Sequence, residues 1–280
     1  MFPLLLLIVI ITAAILLYDS NTRIVMSEYE LYYPNLPGSF DGYRIVILSD
    51  LHATEFGPEN QRLITMVQDA EPDIIAITGD FIDYDQGLQI EKQLEIAETL
   101  VTGLTQIAPV YFVTGNHDWD KRIEGPWALI QMLEEHDVHV LRNRFTRVET
   151  GGGSIILAGT DDPNGPADMI KPEELVARIR DAEGDGFIIM LEHRNNNLPL
   201  YSELGVELVL CGHAHGGIIR LPFTDGLIGQ QRDWFPTYTS GVYSTGETNM
   251  VVSRGLGNTM NIPRLLNNPH VVVAVLRVES

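Results

Sequence analysis

One stretch of the chain, residues 206–217, reads VELVLCGHAHGG. Its first six residues are mostly apolar and predict a short buried strand, and the glycines and histidines that follow predict a tight loop. The same design, an apolar run followed at once by a polar loop, occurs four more times, at residues 43–49, 73–78, 110–114 and 186–191. The chain therefore repeats one unit, a buried strand that ends in a polar loop.

The segments between these strands complete the fold prediction. Apolar residues recur at helical spacing over 58–70, 88–104 and 172–181. A hairpin is predicted around Gly151-Gly152-Gly153, from 138–148 to 154–159, and 271–278 predicts a last strand. Strands that alternate with helices indicate an α/β fold with a largely parallel sheet.

Polar side chains follow each of the five strands directly. The five clusters are Asp50-Leu51-His52, Gly79-Asp80 with Asp83, Gly115-Asn116-His117-Asp118, Glu192-His193 and Gly212-His213-Ala214-His215-Gly216-Gly217. The carboxyl ends of parallel strands share one edge of a sheet, where ligands bind. Because five of the eight histidines fall at these ends, we expect them to line a single crevice.

The residue types in this crevice indicate a metal site. Carboxylates and imidazoles together suit Mn, Fe, Zn or Co. The eight ligand groups exceed the need of one tetrahedral ion and suit two. Two metals ~3.5–4 Å apart clamp an in-line displacement at phosphorus, and a hydroxide between them can attack. Cys211 is the only cysteine, which excludes an intrachain disulfide and a cysteine-based zinc site.

Composition narrows the class of partner. The 280 residues include 18 basic and 38 acidic side chains, a formal net charge of -20, and 45% are hydrophobic, which is typical of a globular protein. An acidic chain lacks the basic face that nucleic-acid binding needs, so we expect no nucleic-acid partner. A small phosphorylated substrate stays possible, because bound metal ions reverse the local charge.

The N-terminal segment predicts a membrane anchor. Residues 1–18 carry no charge, and about 18–20 apolar residues span a bilayer as a helix. We expect an uncleaved anchor over 1–22, a connecting segment over 23–42 and a catalytic domain over 43–280, outside the cytoplasm at the cell membrane. A cleaved signal peptide is the alternative, but no basic residue precedes the run, and a cut at Thr12-Ala13-Ala14 would fall inside it.

In this order the five clusters resemble the motifs of the calcineurin-like metallophosphoesterase superfamily. The resemblance covers residues 40–278 and is closest to the bacterial membrane-anchored phosphodiesterase branch. The flanking stretches that support this branch are Leu36-Pro37, Phe40-Asp41-Gly42, Gly216 to Pro222 and Ser253-Arg254-Gly255-Leu256-Gly257.

The resemblance implies a four-layer α-β-β-α fold, with two mixed sheets flanked by helices. It also implies the ligand roles: Asp50, His52 and His215 bind the first metal, Asn116, His193 and His213 bind the second, and Asp80 bridges both. His117 would act on the leaving oxygen rather than bind metal, with Asp118 orienting it.

Two positions depart from the family pattern. Glu192 and Arg194 flank His193 where relatives have a small residue and a nearby proline, and His270 stands where an acidic residue is expected. Arg194 is read as a structural arginine, with contact to substrate phosphate as the alternative. Asp161-Asp162 is a further candidate for the edge of the crevice.

The long segment 221–243 predicts either a substrate lid or a packed surface loop. Its aromatic residues fit two interpretations, an apolar wall for a lipid or nucleoside, or plain loop packing. The four residues are Trp234, Phe235, Tyr238 and Tyr243.

Three functions compete. The first is hydrolysis of a phosphodiester or pyrophosphate bond in a membrane-associated or nucleotide-linked lipid by two divalent ions. The second is a phosphomonoesterase or phosphoprotein phosphatase with the same site, since the metals clamp both ester types. The third, a non-catalytic scaffold, is disfavoured because every motif position is filled.

Overall fold

The computed structural model describes residues 2–122, 125–166, 169–221, 225–229, 233–258 and 262–279. Met1 of the expected anchor, Pro222 of the family resemblance and parts of the 221–243 segment lie outside the described residues. In the described part, the helices are α1 (Phe2–Thr22), α2 (Gln61–Asp69), α3 (Ile90–Thr105), α4 (Pro126–Glu135), α5 (Pro172–Glu183) and α6 (Leu198–Glu203).

The strands of the same described residues form two six-stranded sheets. In chain order they are β1 (Val25–Tyr33), β2 (Arg44–Leu48), β3 (Ile74–Ile77), β4 (Val110–Phe112), β5 (His139–Val140), β6 (Arg144–Thr150), β7 (Gly153–Gly159), β8 (Ile188–Leu191), β9 (Leu208–Cys211), β10 (Gly241–Thr245), β11 (Thr248–Val252) and β12 (His270–Val278).

Both sheets are mixed. The first has the order β1-β12-β2-β3-β4-β5, in which β2 to β5 are parallel and β12 runs antiparallel to β2. The second has the order β10-β11-β9-β8-β7-β6, with a parallel centre and antiparallel edge strands. The parallel strands of each sheet end toward the polar clusters, and this direction brings the clusters to one place.

Alternating side chains of the strands hold the layers together. In β2, Ile45 and Ile47 pack in the core between the two sheets, while Val46 and Leu48 face the layer of α2, α3 and α4. This alternation follows from the two-residue period of a strand. A third apolar cluster packs α5 and α6 on the outer face of the second sheet. The expected four-layer fold with two mixed sheets is confirmed.

The range expected to be a connecting segment contains a strand of the first sheet. Residues 23–42 were expected to be a connecting segment, but β1 fills most of that range and pairs in parallel with β12 along nine positions. The strand alternates exposed side chains with partly or fully buried ones, because one of its faces packs on the core and the other faces solvent. The segment between α1 and the domain is therefore only Arg23-Ile24.

Among the described helices, α1 is the one long and apolar enough to cross a membrane, by length and composition. Its side chains from Leu4 to Leu17 point away from the domain and are largely exposed. An isolated helix of this composition needs an apolar environment that the protein itself does not provide.

Candidate metal centre

The first group of predicted ligands consists of Asp50, His52 and His215, all buried. Asp50 and His52 follow β2, and His215 follows β9. The Nε2 atoms of the two histidines lie 3.1 Å apart, and His215 Nε2 lies 3.2 Å from Asp50 Oδ1. These three side chains, from positions far apart in the chain, thus aim their ligand atoms at one point.

The second group gathers around His193, which follows β8. Its Nε2 atom lies 3.1 Å from Asp80 Oδ2, 3.1 Å from His213 Nδ1 and 3.2 Å from Asn116 Oδ1. Asp80 Oδ2 is also 3.7 Å from His52 Nε2 of the first group. The structure therefore brings all seven predicted ligands together, with Asp80 between the two groups.

The donor set fits divalent cations. Two ligand atoms bound to one ion at about 2.1 Å lie about 3.0–3.4 Å apart, and the separations of 3.1–3.2 Å given above within the two groups match this range. Asp80 Oδ2 is buried without a hydrogen-bond donor in proper geometry, although His193 Nε2 is 3.1 Å away. A buried carboxylate oxygen in this situation is costly unless a cation satisfies it.

The backbone at these ligands is strained. Five of the seven have a positive φ, between 45° and 65°: Asp50, His52, Asp80, His213 and His215. Non-glycine residues rarely adopt this conformation, which costs of order 1–3 kcal/mol where the surrounding structure imposes it. Strain of this kind is concentrated at functional sites, and here it turns the ligand side chains inward from the strand ends.

Two glycines permit the loops to pack this closely. A Cβ atom on Gly212 would overlap Ser49 Oγ and Asp50 Oδ2, and one on Gly115 would overlap Asp80 Oδ1. Both glycines precede a predicted ligand, so the absence of a side chain is what allows one ligand loop to approach the next.

Burial and neighbouring charges shift the pKa values of side chains in the site in different directions. Burial by itself lowers the pKa of His193, but the Asp80 carboxylate outweighs burial and raises this pKa to about 10. For His213, burial and the adjacent His193 charge lower the pKa to about 3. Burial would raise the pKa of Asp50, yet His215 and its neighbours hold it well below the usual range. In the metal-free protein, His193 therefore carries a proton that a bound divalent cation would displace.

His117 lies beside the two groups and is held by Asp83, not by Asp118 as we expected. Its Nδ1 atom is 3.0 Å from Asp83 Oδ1, and the other oxygen of Asp83 lies 2.9 Å from His52 Nδ1. The Asp118 carboxylate is already occupied by four backbone N–H donors at 2.8–3.2 Å, those of Asp80, Phe81, Ile82 and Gly115. Asp118 therefore shapes the ligand loops rather than the imidazole.

Burial lowers the pKa of His117, but its hydrogen bond to the Asp83 carboxylate and the charge of Asp80 raise this pKa to about 9. The imidazole therefore carries a proton near neutral pH. Asp118, in contrast, is fully enclosed beside Asp80, and burial raises its pKa to about 7.

The other candidates from the sequence lie at the rim. Arg194 forms two hydrogen bonds with the Asp162 carboxylate, at 2.7 and 3.0 Å, which supports its structural interpretation. Asp161 accepts a hydrogen bond from Thr114 Oγ1 at 2.8 Å, directly after β4. Both pairs brace the loop that carries Asn116 and His117.

Sequence reasoning missed two contacts of the site. The sequence could have indicated the contact of Asp83, because this residue follows Asp80 in the same cluster. It could not have indicated the contact of Arg264, because no motif surrounds this residue. This arginine is buried, donates to the carbonyl of Gly257 at 2.6 Å, and places Nη2 3.3 Å from Nδ1 of His215.

Comparison with known proteins agrees with this geometry. The model of the calcineurin-like phosphoesterase family matches residues 43–217. The uncharacterized metallophosphoesterase YkuE of Bacillus subtilis is 30% identical over 93% of this chain and 88% of its own. Phosphodiesterase YaeI of Escherichia coli is 26% identical over 84% of this chain and 82% of its own.

Two further similar proteins are a eukaryotic relative and a solved structure. A transmembrane protein with metallophosphoesterase domain from Danio rerio is 30% identical over 68% of this chain and 44% of its own. The structure of Haemophilus influenzae NAD nucleotidase matches with a TM-score of 0.51 and 14% identity, over 76% of this chain and 45% of that one, and shows the fold alone. By its sequence match across the ligand loops and by its fold, this chain belongs to the calcineurin-like metallophosphoesterase family.

Proposed function

We propose that this protein hydrolyses a phosphodiester or pyrophosphate bond in a membrane-associated or nucleotide-linked lipid, using two divalent metal ions. The observation that carries the proposal is the convergence of the two ligand groups on either side of Asp80, next to His117, whose Nδ1 atom lies 3.0 Å from Asp83 Oδ1. The Escherichia coli relative that is named a phosphodiesterase supports the diester preference.

The proposed roles follow the two groups. Asp50, His52 and His215 would hold one ion, and Asn116, His193 and His213 the other, with Asp80 between them. When bound, two such ions stabilise the negative charge that develops on the phosphoryl oxygens and activate water. Their identity is proposed as Mn, Fe, Zn or Co, because the donor set mixes imidazole with carboxylate.

His117 would supply the proton for the leaving oxygen. Because Asp83 holds Nδ1, the Nε2 atom is the ring position that can donate it. The ring is partly exposed, with 14% of its side chain accessible, so it can meet a substrate. Asp83 is the orienting partner in this scheme.

The lipid substrate and the location are supported by α1. An apolar helix that ends two residues before the domain would place the site at a membrane surface, and the Danio rerio relative is named a transmembrane protein. We propose a single-pass anchor in the cell membrane, with the domain outside the cytoplasm. Protease added to intact cells should then remove the domain, and full protection would refute this orientation.

Hydrolysis of bis-p-nitrophenyl phosphate tests the activity. We expect turnover that requires Mn²⁺ and falls at least about 100-fold in Asp80→Asn and His117→Ala. Faster hydrolysis of p-nitrophenyl phosphate than of the diester would favour a monoesterase. Retained turnover in both variants would refute the proposed roles, and His136→Gln, on the surface away from the site, is the control.

A further inference from the structure

The end of α1 is fastened to the domain by several hydrogen bonds. Asn21 Oδ1 accepts from the backbone N–H of Arg264 at 3.0 Å and from Asn258 Nδ2 at 2.8 Å. Ser20 Oγ accepts from the N–H of Leu266 at 2.8 Å, and Ser20 is itself buried. These contacts hold the helix in a set direction, so a bilayer around α1 would also set which face of the domain it meets.

A second structured segment is hydrogen bonded to the same place. The N–H of Phe235 donates to the carbonyl of Leu227 at 3.1 Å, and Leu227 donates to Ile219 at 2.8 Å. Ile219 in turn pairs with Leu265, next to the residue that contacts Ser20. The segment from 219 to 235 is thus connected to the end of α1 through backbone contacts of its described residues.

Two neighbouring aromatic side chains near the end of this segment are exposed. Trp234 and Phe235 are 67% and 71% exposed, the highest values for large apolar side chains outside α1 in the described part of the chain. Leu221, in the same segment, is 45% exposed. These neighbouring side chains therefore present apolar surface to the surroundings of the protein.

Further apolar residues lie on the other side of the same point. Gln86 Nε2 donates to the carbonyl of Asn258 at 2.7 Å, and Asn258 contacts Asn21 of α1. On either side of Gln86, Tyr84 and Leu88 are 48% and 42% exposed. Exposed apolar side chains are therefore present in two segments that are hydrogen bonded to the end of α1, and we call Tyr84, Leu88, Leu221, Trp234 and Phe235 the docking face.

One side of the candidate metal centre is connected to this face by a cavity. A cavity of about 160 Å³ extends from His213 to Asp233 and Pro236. Trp234 and Phe235 lie between those two residues in the chain. Tyr84, at the other side, directly follows Asp83, which holds His117.

We propose that the docking face rests on a lipid bilayer, with Trp234 and Phe235 in the headgroup region, so that the metal centre opens at the membrane surface. Aromatic side chains favour this region of a bilayer. The apolar segment of α1 leaves the domain from the same face, and this continuity identifies the occupant as lipid rather than protein. The proposal rests on the proposed anchoring and adds how the domain is oriented on the membrane.

The residue types of the docking face also predict which interaction holds it to the bilayer. The protein carries a formal charge of -20, so attraction to anionic lipids does not explain docking. Burial of the aromatic side chains does, and such binding is insensitive to salt. A lipid substrate could then present its phosphate to the metal centre while its acyl chains stay in the bilayer.

A fluorescent label at position 235 tests the proposal in the full chain. Cys211, the single native cysteine, is buried, so a maleimide NBD dye attaches to an introduced cysteine. We compare Phe235→Cys with Tyr32→Cys in phosphatidylcholine vesicles. Tyr32 is also exposed but lies near the far end of β1, roughly 23 Å along the strand from Val25.

We expect lipids with a doxyl group near the headgroup to quench the label at 235 at least about threefold more than the label at 32, in low and high salt. Iodide in the water should quench them in the opposite order. Equal quenching at the two positions, or docking that salt abolishes, would overturn the proposal.

Hydrolysis of bis-p-nitrophenyl phosphate by the labelled Tyr32→Cys protein reports the metal centre separately. If it is inactive while the label at 235 is still quenched by lipid, the proposed function fails and the docking stands. If it is active and the label at 235 stays in water, the docking fails and the activity stands.

Discussion

Asp83 contacts two imidazoles with one carboxylate. Its two oxygens lie 2.9 and 3.0 Å from the Nδ1 atoms of His52 and His117. Burial would raise its pKa, but the two histidines hold the pKa well below the usual range, so it is ionised. One residue thus couples a predicted metal ligand to the predicted proton donor.

The variant Asp83→Asn should separate this role from simple packing. Asparagine has the same shape, but its amide places an N–H against one of the two Nδ1–H groups. We expect kcat for bis-p-nitrophenyl phosphate to fall about 10–100-fold. Asp85→Asn, which changes an exposed carboxylate bound to Arg122, is the matched control. Equal kcat in the two variants would contradict the role of Asp83.

A larger residue at position 212 should weaken metal binding for steric reasons alone. An added methyl group in Gly212→Ala would overlap Asp50 Oδ2 and displace the first ligand group. We expect at least about tenfold weaker binding of Mn²⁺, measured by isothermal titration calorimetry. Gly38→Ala is the control, because no atom lies within 4 Å of its added Cβ. Wild-type affinity in Gly212→Ala would show that the loops can move apart.

His193 makes metal binding dependent on pH. In the metal-free protein its pKa is raised to about 10, so it is protonated at pH 7, while a ligand histidine must be neutral. Binding therefore releases a proton, and apparent affinity should rise up to about tenfold per pH unit below pH 10. Calorimetry in buffers of different ionisation enthalpy counts the protons. No proton release at pH 7 would contradict this assignment.

At the scale of elements, the segment from 262 to 268 connects α1 to the metal centre. The backbone N–H groups of Leu266 and Arg264 donate to Ser20 and Asn21 of α1. Asn267 Nδ2 donates to the carbonyl of His215 at 2.7 Å. The helix expected to be only an anchor is therefore also a support of a ligand loop. Removal of α1 should disturb the first ligand group even in detergent solution.

Asn21→Ala tests this support without removing the helix. It takes away the acceptor for Arg264 N–H and Asn258, and an unsatisfied buried donor costs about 1–3 kcal/mol. We expect faster amide hydrogen exchange at the Arg264 and Leu266 amides of the full chain in micelles. In Thr22→Ala, which loses only a bond within the helix, exchange should stay slow. Unchanged exchange in Asn21→Ala would count against the support.

For the whole molecule, the metal-free metal centre destabilises the folded state where the two sheets come together. Four carboxylates, those of Asp50, Asp80, Asp83 and Asp118, are buried there, and five ligands have strained backbones. Bound cations would offset both costs, since they bind the folded state and not the unfolded chain. The stability of the domain should therefore depend on metal.

Removal of metal should lower the melting temperature. Ions at 1,000 times their dissociation constant stabilise by about 4 kcal/mol, which corresponds to roughly 8–16 °C in a domain of this size. We expect EDTA to produce a decrease of this order, and excess Mn²⁺ to reverse it, in calorimetric scans. Asp80→Asn should show a smaller response. Identical melting with and without EDTA would contradict a resident metal.

The sequence by itself determined the strand–loop units and the gathering of their polar ends, while the four-layer fold and the division of the candidate ligands followed from the family resemblance. The strand–loop units are local: an apolar run with a polar end is visible in a few residues, and parallel strands bring their ends to one edge. Tertiary structure alone decided the pairing of β1 with β12, the choice of Asp83 over Asp118 as partner of His117, and the contact of Arg264 with His215. Each of these depends on which backbone donors and which distant loops have already taken the competing positions, and no short stretch of residues contains that information.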